Sequence, residues 1–240
     1  MNFLLMYLLP LISVLITISF TSFLSVPGSP FLIGGMTQAD ISNLYPTAIT
    51  PAGITFSIWS VIYLMWIIMA LMIAFKKVEI TKRQSVFYSL SILFTALWLI
   101  PWWYQMMGIA LVLMLAILGG LKYTFHLTRN SHPLLRSSVE LTLGWINIAT
   151  VANITVWLVS LGFTGWWIPE YYWAIGVLWL ALLLTTYYQC RYRTYIISLV
   201  FLWTMLGEWI AHPIMEQRVA VVIYSLVVLI NMIYSYMKRR

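Results

Sequence analysis

Eight apolar runs separated by short polar breaks make up most of the chain. A run of about 20 apolar residues is what an α-helix needs to cross a bilayer. The pattern predicts helices over 3–24, 54–75, 85–100, 106–121, 139–162, 172–189, 194–210 and 219–237. The first run has no basic segment before it and no small-x-small cleavage site, so it reads as a retained helix rather than a signal peptide. Pro101 is expected to end the third helix. Trp102, Trp103 and Tyr104 then form an uncharged interfacial turn. Pro133 is expected to break the loop before the fifth helix. Gly119 and Gly120 allow a close helix approach.

The segment 25–50 is the longest break. Pro27, Gly28, Pro30, Gly34, Gly35 and Pro46 argue against regular structure there, and Asp40 is its only charge. Phe31, Leu32, Ile33, Ile41, Leu44 and Tyr45 make it too apolar for a solvated linker. A long loop of this kind is more often functional than idle. It is expected to fold back over the mouth of the bundle as a lid.

Composition removes the soluble alternatives. The 240 residues are 62% hydrophobic and 8% charged, against about 25% charged in soluble domains. The expected fold is an all-α integral membrane protein, an eight-helix transmembrane bundle. The net charge of +7 is explained by topology. With the N-terminus inside, Lys76, Lys77, Lys82, Arg83, Lys122, Arg129, Arg136, Arg191, Arg193, Lys238, Arg239 and Arg240 all fall on one side, and only Arg218 on the other. The positive-inside rule then places both termini in the cytoplasm of a multi-pass protein, here expected in a bacterial cell membrane. Anionic inner-leaflet lipid suits that charge; nucleic acid is not a partner. Cys190 is the single cysteine, so no intrachain disulfide forms, and it is expected to be a small buried apolar residue near a helix end.

Candidate chemistry is sparse. Phe56, Trp59 and Tyr63 share one face of the second helix. Trp145, Ala149, Asn153 and Trp157 recur every fourth residue on the fifth. An Asn inside a membrane helix needs a partner. It serves either as interhelical glue or as a group that orients a ligand. The sequon 153–155 lies mid-membrane and is no glycosylation acceptor. His126 and His132 lack the i, i+4 spacing of a helical metal pair, so no metal site is expected. Glu208 is expected at the membrane interface, although intramembrane carboxylates are often functional. Glu140, at the start of the fifth helix, suits the helix dipole. No phosphate loop, nucleophile elbow, zinc-helix motif or pair of carboxylates is present, so neither an enzyme class nor a cofactor is indicated.

Pro51, Trp59 and Tyr63 resemble the start of the second helix of the translocator-protein (TspO/MBR) family, also called tryptophan-rich sensory proteins. Gly53 and Phe56 stand one residue off the commonest family spacing. Trp145, Ala149, Thr150 and Asn153 match the family's fifth helix. On the third helix Trp98 is present, but Thr95 stands where the family has Asn. The resemblance runs from 3 to 163 and is closest to a longer branch with extra C-terminal helices. It implies a five-helix TspO-like membrane core over 1–163, with the lid loop 25–50, and three additional transmembrane helices over 164–240.

The resemblance also implies a membrane small-molecule binding or sensory protein that is not an enzyme. Its ligand would be a tetrapyrrole such as a porphyrin or haem, or another planar apolar molecule. The pocket would be lined by Phe56, Trp59, Tyr63, Trp98, Trp145, Ala149 and Asn153. Counting helical rise puts Trp59 and Asn153 at one level, each roughly 12–13 Å below the outer boundary, with Trp98 nearer the rim and Trp145 deeper. The rival reading is a secondary transporter or a permease-like membrane subunit of an export complex. Scarce intramembrane charge and the lack of a clear repeat weigh against a standalone transporter. A homodimer or a membrane partner protein docking on the extra helices stays open.

Overall fold

The computed structural model describes residues 3–25, 30, 32–165 and 167–237. Pro27, Gly28, Phe31, Trp166, Lys238, Arg239 and Arg240 lie outside the described residues. Within them the chain forms helices α1 (Phe3–Ser25), α2 (Gln38–Leu44), α3 (Ile58–Ala74), α4 (Lys82–Trp103), α5 (Met107–Leu127), α6 (Pro133–Ser160), α7 (Glu170–Tyr192), α8 (Ile196–Ala211) and α9 (Met215–Met237). Short 3₁₀ turns cover Ile33–Gly35 and Gly53–Ser57. No strand occurs among the described residues.

Seven helices among the described residues are long and apolar enough to cross a membrane, α3 counting with the 3₁₀ turn before it. The apolar helix α8, of 16 residues, is shorter. The protein is therefore a multi-pass integral membrane protein. Large apolar side chains such as Ile223, Leu226, Ile230 and Ile233 stay exposed along α9, as contact with lipid requires.

The packing has two parts. Helices α1, α3, α4, α5 and α6 close a ring: α1 packs on α3 and α4, α4 on α5, α5 on α6, and α6 on α3. Its core holds Ile62, Trp66, Met69, Tyr88, Ile92 and Ile146. Helix α8 lies against α6 and the turn Gly53–Ser57, and α7 and α9 pack on each other and on α8 around Phe201, Met205 and Val221. Gly144 makes the α6–α8 contact possible. A Cβ there would meet Val200 Cβ at 3.2 Å and Ile197 Cα at 3.3 Å.

The bundle has two chemically distinct ends. At one end, Ser85 Oγ donates to Met6 O (2.7 Å), Gln84 Nε2 to Leu127 O (2.7 Å), and Arg136 to Tyr192 O (3.0 Å). The helix ends and connections there carry nine of the basic residues, Lys76 through Arg193. At the other end, the mouth, Tyr45 Oη donates to Gln105 Oε1 (3.0 Å) and Ala52 N to Gly207 O (3.1 Å). Asp40, Glu170, Glu216 and Arg218 lie at the mouth.

The structure revises several expectations. The segment 25–50 contains a helix, because Thr37 and Asp40 form a capping box that starts α2. Pro101 lies inside α4, since its fixed φ is helical and only one backbone bond is forfeited near the helix end. Trp102 and Trp103 are thus helical and buried with Ile41 and Val156, not an interfacial turn. Pro133 takes the first helical position of α6, where its missing N–H costs nothing, and His132 caps it. That start leaves Glu140 two turns inside α6, buried and paired with Arg136 at 2.7 Å rather than sitting at the helix dipole. Cys190 is exposed, not buried. Of the two glycines on α5, Gly120 meets Ser91 Oγ at 3.4 Å, whereas Gly119 faces open space.

Candidate functional site

The aromatic face of α3 and the stripe on α6 meet. After Pro51 the chain descends through the Gly53–Ser57 turn and begins α3 beside α8. The Phe56 and Trp145 rings meet edge to face at 5.7 Å and 87°, and Trp59 meets Trp145 at 6.4 Å and 83°. Edge-to-face contact aligns a positive ring edge with a negative face. Tyr63 lies 5.5 Å from Trp59. Trp66 extends the row at 5.5 Å from Tyr63, and its indole N–H donates to Thr142 Oγ1 at 3.0 Å. Sequence reasoning stopped at Tyr63, although Trp66 follows Trp59 at i+7 and so shares its face.

The polar side of the site joins α4 to α6. Trp98 Nε1 donates to Asn153 Oδ1 at 3.1 Å, and Asn153 Nδ2 donates to Ala149 O at 2.8 Å. Trp98 also packs on Trp102 at 5.0 Å, and Trp102 Nε1 reaches Gln38 O of α2 at 3.4 Å. Thr95 does not reach across; its hydroxyl donates to Ile92 O of its own helix. Thr150 likewise turns to Ile146 O.

The seven residues therefore form two linked groups. Phe56, Trp59, Tyr63 and Trp145 make an aromatic box, and Trp98 with Asn153 makes a polar rail. Ala149 lies between them, one turn from both Trp145 and Asn153. The depth reckoning changes, because α3 starts lower than Pro51. Its first aromatic residues face Trp145, two helical turns below Asn153. Phe56 is exposed, Trp59, Tyr63, Trp98 and Ala149 are half-buried, and Trp145 and Asn153 are buried. Trp145 Nε1 has no hydrogen-bond partner among the described residues.

A groove of about 280 Å³ opens on the other side of α3, between Ser57, Ile58 and Val61, Leu141 of α6, and Ile196, Leu199, Val200 and Trp203 of α8. None of the seven residues lines it, and its almost wholly apolar walls suit a lipid chain.

The remaining candidates separate. His126 packs edge-on to Tyr192 at 6.0 Å. Among the described residues, no three His, Cys, Asp or Glu side chains gather as metal ligands would. Glu208 is buried at 1% exposure, one turn before the end of α8.

Fold and site define a multi-pass helical membrane protein with an aromatic wall between two of its helices. A family model described as TSPO-like protein matches residues 8–236, and the chain belongs to that family. The match runs past residue 163 through α7 and α8 and almost to the end of α9. No curated protein and no solved structure matches the chain.

Proposed function

We propose that this protein binds a planar apolar ligand of the tetrapyrrole type against the wall between α3 and α6, as a sensor or carrier rather than an enzyme. The observation that carries this reading is the meeting of Phe56 and Trp59 with Trp145 beside the Trp98–Asn153 bond. Flat rings offer large contact area to a flat ligand. Asn153 retains one N–H and one lone pair for a ligand's polar edge. The partnerless Trp145 N–H adds a donor. A buried donor left unpaired is costly, so a ligand acceptor there gains affinity.

In this reading all eight long apolar elements cross the membrane, α8 included, with the basic end in the cytoplasm and the mouth outside. Helix α8 starts three residues after Arg193 at the basic end and finishes at Ala211, one turn past Gly207, whose carbonyl accepts from Ala52 N at the mouth. The bilayer is that of a bacterial cell.

Tryptophan fluorescence quenching by protoporphyrin in the purified full-length protein tests the reading. Saturable quenching is expected, and Trp59→Ala should weaken it by about 2 kcal/mol or more, the scale of a buried aromatic anchor. Equal affinity in a folded Trp59→Ala variant would place the ligand elsewhere.

A further inference from the structure

At the mouth, α8 carries a buried carboxylate with no strong cation beside it. Glu208 Oε2 accepts a 3.3 Å hydrogen bond from Gln217 Nε2 and lies 3.6 Å from His212 Nε2. Glu208 Oε1 has no partner among the described residues. Glu140, by contrast, is neutralised by Arg136.

The two side chains that touch Glu208 also grip the segment leading into α3. The same Gln217 nitrogen donates to Ala48 O at 2.7 Å, and His212 Nε2 lies 3.1 Å from Thr50 O. Three more bonds hold that segment to the last three helices. Ala48 N donates to Glu170 Oε1 (3.0 Å), Ala52 N to Gly207 O (3.1 Å), and Trp203 Nε1 to Thr55 O (2.8 Å).

The surrounding charges leave Glu208 little compensation. Helix α7 contributes Glu170, which is occupied by Ala48 N. Helix α9 contributes Glu216 and Arg218, and the Arg218 guanidinium is spent on His212 O, Trp209 O and the Trp209 ring. Helix α6 carries its ionisable groups, Arg136 and Glu140, toward the opposite end. The segment 46–57 has no ionisable side chain.

A buried carboxylate with one neutral donor is costly unless it gains a positive charge. We propose that Glu208, His212 and Gln217 form a proton-binding site that, when loaded, holds residues 46–57 against α7, α8 and α9, and when unloaded releases them. One proton makes the Glu208–His212 pair neutral overall, and Nε2–H of His212 donates to Thr50 O. Loss of that proton leaves a net negative charge facing the negative ends of the Ala48 and Thr50 carbonyl dipoles. The segment then loses its hold. Burial keeps the His212 imidazole below its usual range. The segment carries Phe56, two residues before α3, so proton loading from the mouth side sets the position of the aromatic wall. This holds whether or not a tetrapyrrole binds there.

The test is hydrogen exchange of residues 46–57 in the full-length protein in lipid nanodiscs, scanned across pH and corrected for intrinsic exchange. Protection at Ala52 should fall about tenfold or more through a single-proton transition as pH rises, the scale of a local opening. In Glu208→Gln, whose neutral amide mimics the loaded carboxyl, protection should stay high and flat. Gln217→Met removes a donor that favours the ionised carboxylate, so its transition should move to higher pH. Flat protection in the parent, a transition that survives Glu208→Gln, or an unmoved midpoint in Gln217→Met would each overturn the proposal. Should Glu208→Gln fail to fold, the parent scan and Gln217→Met still decide it.

Discussion

Trp98 donates its indole N–H to Asn153 Oδ1 at 3.1 Å, across the gap between α4 and α6. The Trp98 ring rests on Trp102, whose N–H reaches helix α2 at Gln38. Two indoles thus connect Asn153 to α2. Asn153→Leu should orphan the Trp98 donor and cost about 1–3 kcal/mol of stability, read as a lowered midpoint of thermal unfolding in detergent. It should also weaken ligands with a polar edge more than purely apolar ones. An unchanged midpoint would show that the bond contributes nothing net.

Two glycines provide a contrasting pair. Gly144→Leu forces a side chain into Val200 and the α8 backbone at Ile197. Overpacking of this kind costs roughly 1–3 kcal/mol. Gly119→Ala meets nothing within 4 Å and should be neutral or slightly stabilising, since alanine is the better helix former. Unfolding midpoints of the two variants, measured side by side, check the difference.

Helix α2 should respond to acid. The Asp40 carboxylate accepts from the Thr37 hydroxyl and from Thr37 N, and these bonds hold its pKa below the usual 3.8. A lowered folded-state value means that this support is complete above 3.8 and disappears as pH falls through the lowered value. Limited proteolysis around 37–45 should accelerate at acid pH in the parent. In Asp40→Asn that acid-driven change should be absent.

Reporter fusions after Phe75, Leu121, Gln189 and Arg240 should read cytoplasmic, and fusions after Ser25, Trp103, Trp166 and His212 should read external. The decisive site is His212, since it follows α8. A cytoplasmic signal there, with the others unchanged, would mean that α8 does not cross.

The chain announces its helices through the eight apolar runs, each of which overlaps one long helix of the structure. The ends were harder to read. Pro101 and Pro133 look like breakers, but a proline near a helix end costs little, and both lie within helices. Thr37 and Asp40 carry the capping spacing in plain view, yet the glycines and prolines around them outweigh it in a loop reading. Which face of a helix turns inward is poorly encoded, because lipid accepts apolar side chains as readily as a core does. Cys190 was misplaced for that reason. The site residues were legible as two helical stripes. The clasp around Glu208 was not, since Ala48 and Thr50 meet Gln217 and His212 only after the chain has doubled back several times.

The bonds at the mouth join residues far apart in the chain. Trp203 to Thr55, His212 to Thr50 and Gln217 to Ala48 span 148, 162 and 169 positions. A chain emerges from the ribosome N-terminus first, so α3 enters the membrane long before these partners exist. Until α8 and α9 have been made, Ala48 O, Thr50 O and Thr55 O lack them, and the start of α3 lacks these anchors at the mouth. Completion of the aromatic wall is therefore a late event in biosynthesis. A nascent chain halted near residue 163 should insert its early helices and still be unable to form a finished binding surface.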